Sequence, residues 1–153
     1  MKSIAIIGLG RIGRHILKKT IKETDIKFFS DMNPNISNHR YLLKYDSTYG
    51  RSDLNITNDE KSINVDGKEI LFIHSNRIDE IHWDNQEVDL IFECSGFYEN
   101  EKLIRGVAEE IGAKAIITKS SKYADKEIVF GLNHETINKE DKIFSSSICD
   151  ANA

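Results

Sequence analysis

The chain has 153 residues, of which 30% are charged and 39% hydrophobic, and carries a net charge of −4 at pH 7. That is enough chain for one domain with a buried core, and too apolar for a disordered segment. The acidic balance argues against nucleic acid or an anionic membrane as partner, and no apolar run approaches the roughly 18 residues of a membrane span. Met1-Lys2 leads straight into a strand-like run, which leaves no room for a signal peptide. The two cysteines, Cys94 and Cys149, do not make a disulfide framework. The expectation is a cytoplasmic α/β protein.

Ile4–Ile7 is a continuous apolar run, as in a parallel strand covered on both faces. From Arg11 to about Glu23, Ile12, Ile16, Leu17 and Ile21 recur at helical spacing. Ile26–Ser30 reads as a second strand with Asp31 at its end. Asn33 to Asn38 contains the single proline and caps a short helix through Leu43. Between about Ser47 and Ser75 the pattern turns to short alternating strands, with a hairpin signal at Val65-Asp66-Gly67-Lys68 before the strand Glu69–Ile73. Val88–Glu93 returns to the buried parallel type. Asn100–Ile111 is an amphipathic helix stopped by Gly112. Ala115–Thr118, Glu127–Gly131 and Lys142–Ser146 are further strand candidates. This alternation predicts a doubly wound, mostly parallel sheet of Rossmann type, with a small antiparallel hairpin insertion around residues 52–75.

Gly8-Leu9-Gly10-Arg11-Ile12-Gly13 joins the first strand to the first helix as G-x-G-x-x-G. Gly8 permits a tight turn, Gly10 removes the side chain between backbone and pyrophosphate, and Gly13 lets helix and strand pack closely. The helix then points its N-terminal N–H groups at the anion. Asp31 lies 18 positions past Gly13, where a carboxylate accepts the adenosine ribose hydroxyls and repels a 2′-phosphate, favouring NAD over NADP. Asn33 is a rival for that contact. Ser95-Gly96 follows a buried strand, so it belongs beside the ligand crevice. Tyr98 packs near the adenine or covers the sheet edge, and Thr118 contacts cofactor or caps its strand. Cys149 is either a small core hydrophobe or, at the start of a helix near Asp150, a stabilised thiolate. His15, His39, His74 and His82 show no metal-ligand spacing, and no metal is expected.

Gly8 to Arg14 and Leu43-Lys44-Tyr45-Asp46-Ser47-Thr48-Tyr49-Gly50-Arg51 together resemble the glyceraldehyde-3-phosphate dehydrogenase family. Arg77-Ile78-Asp79, Glu93-Cys94-Ser95-Gly96, Gly131-Leu132-Asn133-His134-Glu135 and Cys149 with Asn152 continue the resemblance in order. It runs the length of the chain but covers only that family's N-terminal, NAD-binding half; residues 1–153 are thus expected to be a dinucleotide-binding domain without the second, catalytic domain. Erythrose-4-phosphate dehydrogenase shares most of these motifs.

The resemblance implies that Cys149 is the nucleophile, attacking a small phosphorylated aldehyde to form a thiohemiacetal. Hydride then passes to NAD, and phosphate releases the thioester as an acyl phosphate. It implies that Arg11 and Ile12 line the pyrophosphate, that Asp31 binds ribose, and that Arg77 lies beside the adenine. Ser95, Gly96 and Thr118 would line the cofactor crevice, and the full-length protein would be a homotetramer. Counting back from Asp46 selects Asp31 for the ribose and counting forward from Gly13 selects Asn33; Asp31 is preferred because it keeps a carboxylate where the ribose needs one.

The departures lie at the chemistry. Ile148 and Asp150 stand where the family has a serine and a threonine beside the nucleophile, and Asp150 would repel phosphate and raise the thiol pKa. Ile7 replaces an asparagine, and Lys119-Ser120 replaces Ala-Pro. The family's general base is a histidine of the second domain, which His134 does not replace. The expectation is therefore an NAD-binding half that does not turn over aldehyde alone. The alternatives are a non-catalytic NAD-binding or interaction module and a different Rossmann enzyme with an incidental cysteine.

Overall fold

Ser3–Ile7 is apolar after its first residue because both of its faces are covered. A computed structural model describes residues 1–147; residues 148–153, with Ile148, Cys149, Asp150 and Asn152, lie outside the described residues. In chain order the elements are β1 (Ser3–Ile7), α1 (Arg11–Thr20), β2 (Asp25–Asp31), α2 (Ile36–Lys44), β3 (Tyr45–Asp46), β4 (Gly50–Arg51), β5 (Ile56–Asn58), β6 (Ser62–Val65) and β7 (Lys68–His74). They continue with β8 (Leu90–Glu93), α3 (Tyr98–Glu110), β9 (Lys114–Ile117), β10 (Lys126–Glu127) and β11 (Ile143–Ser145).

Among the described residues nine strands form one sheet, ordered β10-β11-β9-β8-β1-β2-β7-β6-β5, while β3 and β4 pair separately. All pairs from β10 to β7 are parallel. Within this sheet β5–β6 and β6–β7 pair antiparallel, as do β3 and β4 beside it. The antiparallel segment is therefore continuous with the main sheet: β7 pairs parallel with β2 and carries β6 and β5 at its edge. The chain moves outward from β1 through β2 to β7, then restarts on the other side of β1 at β8. That reversal opens a crevice beyond the carboxyl ends of β1 and β8.

Strand alternation divides the core between the two faces. Ala5, Ile7, Phe28 and Ile91 pack with Ile104, Val107 and Ala108 of α3. Ile4, Ile6 and Phe29 pack on the opposite face with Leu17 of α1 and Leu43 of α2. Each such aliphatic side chain contributes about 1.5–3 kcal/mol of burial. No helix among the described residues is long and apolar enough to cross a membrane.

Several boundaries differ from the sequence pattern for local reasons. α1 stops at Thr20 because the Thr24 hydroxyl donates to the Thr20 carbonyl at 2.9 Å. The Lys68 ammonium also bonds the Ile21 and Thr24 carbonyls, at 2.5 and 3.2 Å, which satisfies the helix end from a distant strand. α2 starts where Asn35 Oδ1 accepts the Asn38 N–H at 3.0 Å. The β6–β7 turn has φ of 51° at Asp66 and 87° at Gly67, as a two-residue hairpin requires. Instead of a strand to Gly131, β10 ends at Glu127. Asn133 holds the Val129 N–H and the Glu127 carbonyl and folds the chain over.

One buried side chain joins α3 to the loop before β8. Asn100 is fully buried; it accepts the Ile78 N–H at 3.0 Å and donates to the Asn76 carbonyl at 2.9 Å and Ser95 Oγ at 3.1 Å. Asn100→Ala would strand these partners, and urea unfolding should show a loss of about 2–4 kcal/mol; an unchanged midpoint would show that the three bonds add no net stability.

Candidate functional site

The glycine turn sits where three backbone segments converge. Gly8 has φ of +88°, and a Cβ there would lie 2.5 Å from the Ser95 Cα. A Cβ on Gly13 would lie 2.1 Å from the Gly8 carbonyl oxygen. Both contacts are with backbone, which cannot swing aside. Gly10 differs: nothing lies within 4 Å of its Cβ position. It precedes α1 without a side-chain cap, and the first turn of α1 holds no acidic residue. The N–H groups of that turn thus face space that a pyrophosphate can enter.

Gly8, Gly10, Asp31, Asn76, Ser95 and Gly96 line a crevice of about 340 Å3, together with Met32, Cys94 and Phe97. Asp31 ends β2 beside the turn. Its Oδ2 accepts the Leu9 N–H at 2.8 Å and its Oδ1 the Asn33 N–H at 2.9 Å. Each oxygen keeps a lone pair for a further donor. The side chain of Asn33 instead accepts the Asn35 N–H at 3.0 Å and braces the start of α2. Of the two rivals, only Asp31 lines the crevice. Behind it lies His39, 3% exposed, with Nε2 2.8 Å from the Asn33 carbonyl oxygen and 3.9 Å from Asp31 Oδ1.

Opposite Asp31, the β8–α3 turn is held by Glu93, 3% exposed. Its Oε1 accepts the Ser95 N–H at 2.8 Å and a short bond from the Ser95 hydroxyl. Ser95 Oγ in turn accepts the Phe97 N–H at 3.0 Å. The Lys119 ammonium pairs with Glu101 at 2.6 Å and lies 3.4 Å from the Gly96 carbonyl oxygen. The residue that departs from the family pattern thus fastens the next strand end to this turn. Thr118 donates its hydroxyl and N–H to the Glu93 carbonyl, both at 3.0 Å.

Other predicted residues lie elsewhere. Arg11 lines a separate cleft of about 590 Å3 with Arg14, Lys18, Tyr41, Tyr49 and Arg51. The Ile12 side chain is exposed. The Arg77 guanidinium is taken by Asp79, at 2.6 and 3.0 Å, and by Glu80 at 3.4 Å; its neighbour Asn76 lines the crevice instead. Tyr98 bonds the Tyr123 hydroxyl at 3.1 Å under the Lys102 ammonium, and is not among the crevice residues. Cys149 falls outside the described residues. Glu93, Asn76 and His39 received no site role from the sequence; the one available signal was a carboxylate closing the apolar run Leu90-Ile91-Phe92.

Comparison with known proteins fits this geometry. Residues 2–101 match the family model described as glyceraldehyde 3-phosphate dehydrogenase, NAD binding domain. The chain belongs to this family. Its cofactor is NAD. The chain is 30% identical to glyceraldehyde-3-phosphate dehydrogenase 1 of Candida glabrata, over 99% of its own length and 46% of that protein. It is 33% identical to glyceraldehyde-3-phosphate dehydrogenase of Lactobacillus delbrueckii, covering 98% of the chain and 46% of the relative. For glyceraldehyde-3-phosphate dehydrogenase 2 of Bacillus subtilis the identity is 30%, over 97% and 44%. The chain therefore spans a little under half the length of these relatives.

The buried carboxylate makes this NAD-binding domain sensitive to pH. Burial pushes the Glu93 carboxyl from the ordinary 4.5 up to about 6, against the lowering pull of Ser95, Asn100 and Lys119. Between those values the folded state keeps a proton that the unfolded chain has released. The resulting stability is fully present below pH 4.5 and is lost as pH rises through about 6. Urea unfolding at about pH 4.5 and about pH 7.5 should show this loss in the unmodified chain, about 2 kcal/mol, and not in Glu93→Gln. Equal pH profiles for the two proteins would contradict the assignment.

Proposed function

We propose that Gly8, Gly10 and Gly13 with the start of α1 hold the pyrophosphate of NAD, that Asp31 binds the adenosine ribose, and that Ser95 and Gly96 form the opposite wall. The observation that carries this reading is the Asp31 carboxylate, anchored by the Leu9 N–H inside the glycine turn and left with free lone pairs on the crevice. A carboxylate there accepts ribose hydroxyls and repels the 2′-phosphate of NADP. Thr118 acts from behind the wall through the Glu93 carbonyl. Arg11 and Ile12 contribute backbone to the pyrophosphate site. Arg77, held by Asp79, acts at most at the adenine edge.

The domain, residues 1–153, is in this proposal the NAD-binding half of a phosphorylating aldehyde dehydrogenase acting on a small phosphorylated aldehyde. When bound, NAD supplies the hydride acceptor. β11 ends at Ser145 on the carboxyl edge of the sheet, and Cys149 follows four residues later in the sequence; it is our candidate for the nucleophile. In a protein of the relatives' length, about twice that of this chain, a general base, most of the substrate contacts and a tetrameric assembly would come from outside residues 1–153. The cytoplasm is the setting that suits free thiols.

Calorimetric titration tests the cofactor site. The chain should bind NAD in preference to NADP, and Asp31→Ala should weaken NAD about tenfold or more, the scale of hydrogen bonds to a charged group, while narrowing that preference. No loss of NAD affinity in Asp31→Ala would sink the ribose assignment.

A second reading, a non-catalytic NAD-binding module, is favoured by Ile148 and Asp150 on either side of Cys149. Thiol labelling separates the two. Burial and the neighbouring Glu93 push the Cys94 thiol up to about 12, so it is an unreactive internal reference. An activated Cys149 should react with iodoacetamide at neutral pH faster than a free cysteine of pKa about 8.5, with Cys94 labelled only on unfolding. A Cys149 as slow as free cysteine would favour the non-catalytic reading.

A further inference from the structure

We propose that His39 is a positioning residue for the ribose-binding carboxylate: its imidazole N–H fixes the loop from Asp31 to Asn35 so that Asp31 meets the dinucleotide in one orientation. The proposal rests on the assignment of Asp31 to the ribose. Asp31 Oδ1 accepts the Asn33 N–H at 2.9 Å, so its aim depends on how the backbone on both sides of the Asn33 Cα is held. The carbonyl of Asn33 is held by one side chain, His39, whose Nε2 lies 2.8 Å from it. A carbonyl oxygen only accepts, so Nε2 carries the hydrogen.

The same nitrogen lies 3.9 Å from Asp31 Oδ1, beyond hydrogen-bond reach, so the ring acts on the carboxylate through the Asn33 backbone. Packing fixes the ring. Its centroid is 5.5 Å from that of Phe29 and 5.4 Å from that of Phe72. In the neutral ring Nδ1 is a lone pair, buried with no partner among the described residues. A histidine is therefore retained in an aromatic pocket where one of its two nitrogens gains nothing, and the other serves the Asp31 loop. An apolar ring would fill the same space without burying an unpaired nitrogen.

The test is NAD titration of the chain and of His39→Phe, His39→Gln, Asp31→Ala and the double variant Asp31→Ala/His39→Phe, with NADP titrated in parallel. His39→Phe keeps an aromatic ring and removes the donor; it should weaken NAD about five- to tenfold, the effect of one buried hydrogen bond, and reduce the preference over NADP. His39→Gln restores a donor and should recover most of the affinity; it also serves as the test variant should His39→Phe not fold. In the Asp31→Ala background the His39→Phe change should cost less than about twofold, because the two residues act as a unit. A loss of equal size in both backgrounds would assign His39 a purely structural role and overturn the proposal, as would no loss in either. If Asp31→Ala alone leaves NAD binding unchanged, the ribose assignment fails, and the positioning role with it. If Asp31→Ala weakens NAD and His39→Phe does not, only the positioning role fails.

Discussion

The contact of Gly8 with the Ser95 backbone sets the shape of the crevice. At this point the end of β1, the start of α1 and the β8–α3 turn approach so closely that a single methyl group would overlap main-chain atoms at 2.5 Å. Backbone atoms in two hydrogen-bonded strands cannot rotate out of the way, so the cost of a side chain there is borne by the whole sheet end. The Gly8 N–H donates to the Ser30 carbonyl at 2.7 Å, and the Cys94 N–H to the Ile7 carbonyl at 2.7 Å. These two bonds tie the turn to β2 on one side and β8 on the other. The floor of the site is therefore main chain from three elements, with open space at Gly10 and Gly96.

The walls are aimed by buried polar groups, which are costly unless paired. Glu93, Asn100 and Ser95 meet their needs within one network: the carboxylate takes the Ser95 donors, and Asn100 holds Ser95 Oγ, the Asn76 carbonyl and the Ile78 N–H. Asn76 is the crevice residue of that loop, so the same side chain that stabilises α3 also orients the wall. On the opposite wall the bonds are fewer: Asp31 accepts the Leu9 and Asn33 N–H groups, and His39 Nε2 lies 2.8 Å from the Asn33 carbonyl oxygen. The two walls meet through the glycine floor and again at the strand ends, where Asp31 pairs with His74 and His74 Nε2 lies 3.1 Å from the Met32 carbonyl oxygen.

Much of this was legible before the structure. The unbroken apolar run of Ile4–Ile7, the glycine spacing and the helical period of α1 are local signals, and local signals survive in sequence. Asp31 could be placed because it closes a strand. Its choice over Asn33 rested on the need for a carboxylate at the ribose; the Leu9 N–H that anchors it, from 22 residues earlier, could not be read from the sequence. Arg11, Ile12 and Arg77 show the limit of a motif. Matching a position gives the course of the backbone, whereas the side chain follows whatever partner is nearest, here Asp79 for Arg77 and the α1–α2 cleft for Arg11. Glu93 and His39 were beyond reach because their roles depend on partners brought together by folding.

The placement of charge explains why an acidic chain can hold a dinucleotide. The net charge of −4 would repel the ligand if carboxylates crowded the pyrophosphate. They do not: α1 carries no acid in its first turn, Glu93 behind the opposite wall is buried and takes the Ser95 donors, and Glu101 is paired with Lys119 at 2.6 Å. Asp31 is the exception, and in the proposed mode of binding it meets the ribose, where hydroxyl groups need an acceptor. Selectivity against a 2′-phosphate then requires that this one charge be fixed in place, because a carboxylate free to rotate away could admit the larger ligand. The Leu9 and Asn33 N–H bonds hold Asp31 from two sides, so the proposed cofactor choice would rest on rigidity at Asp31 as much as on its charge.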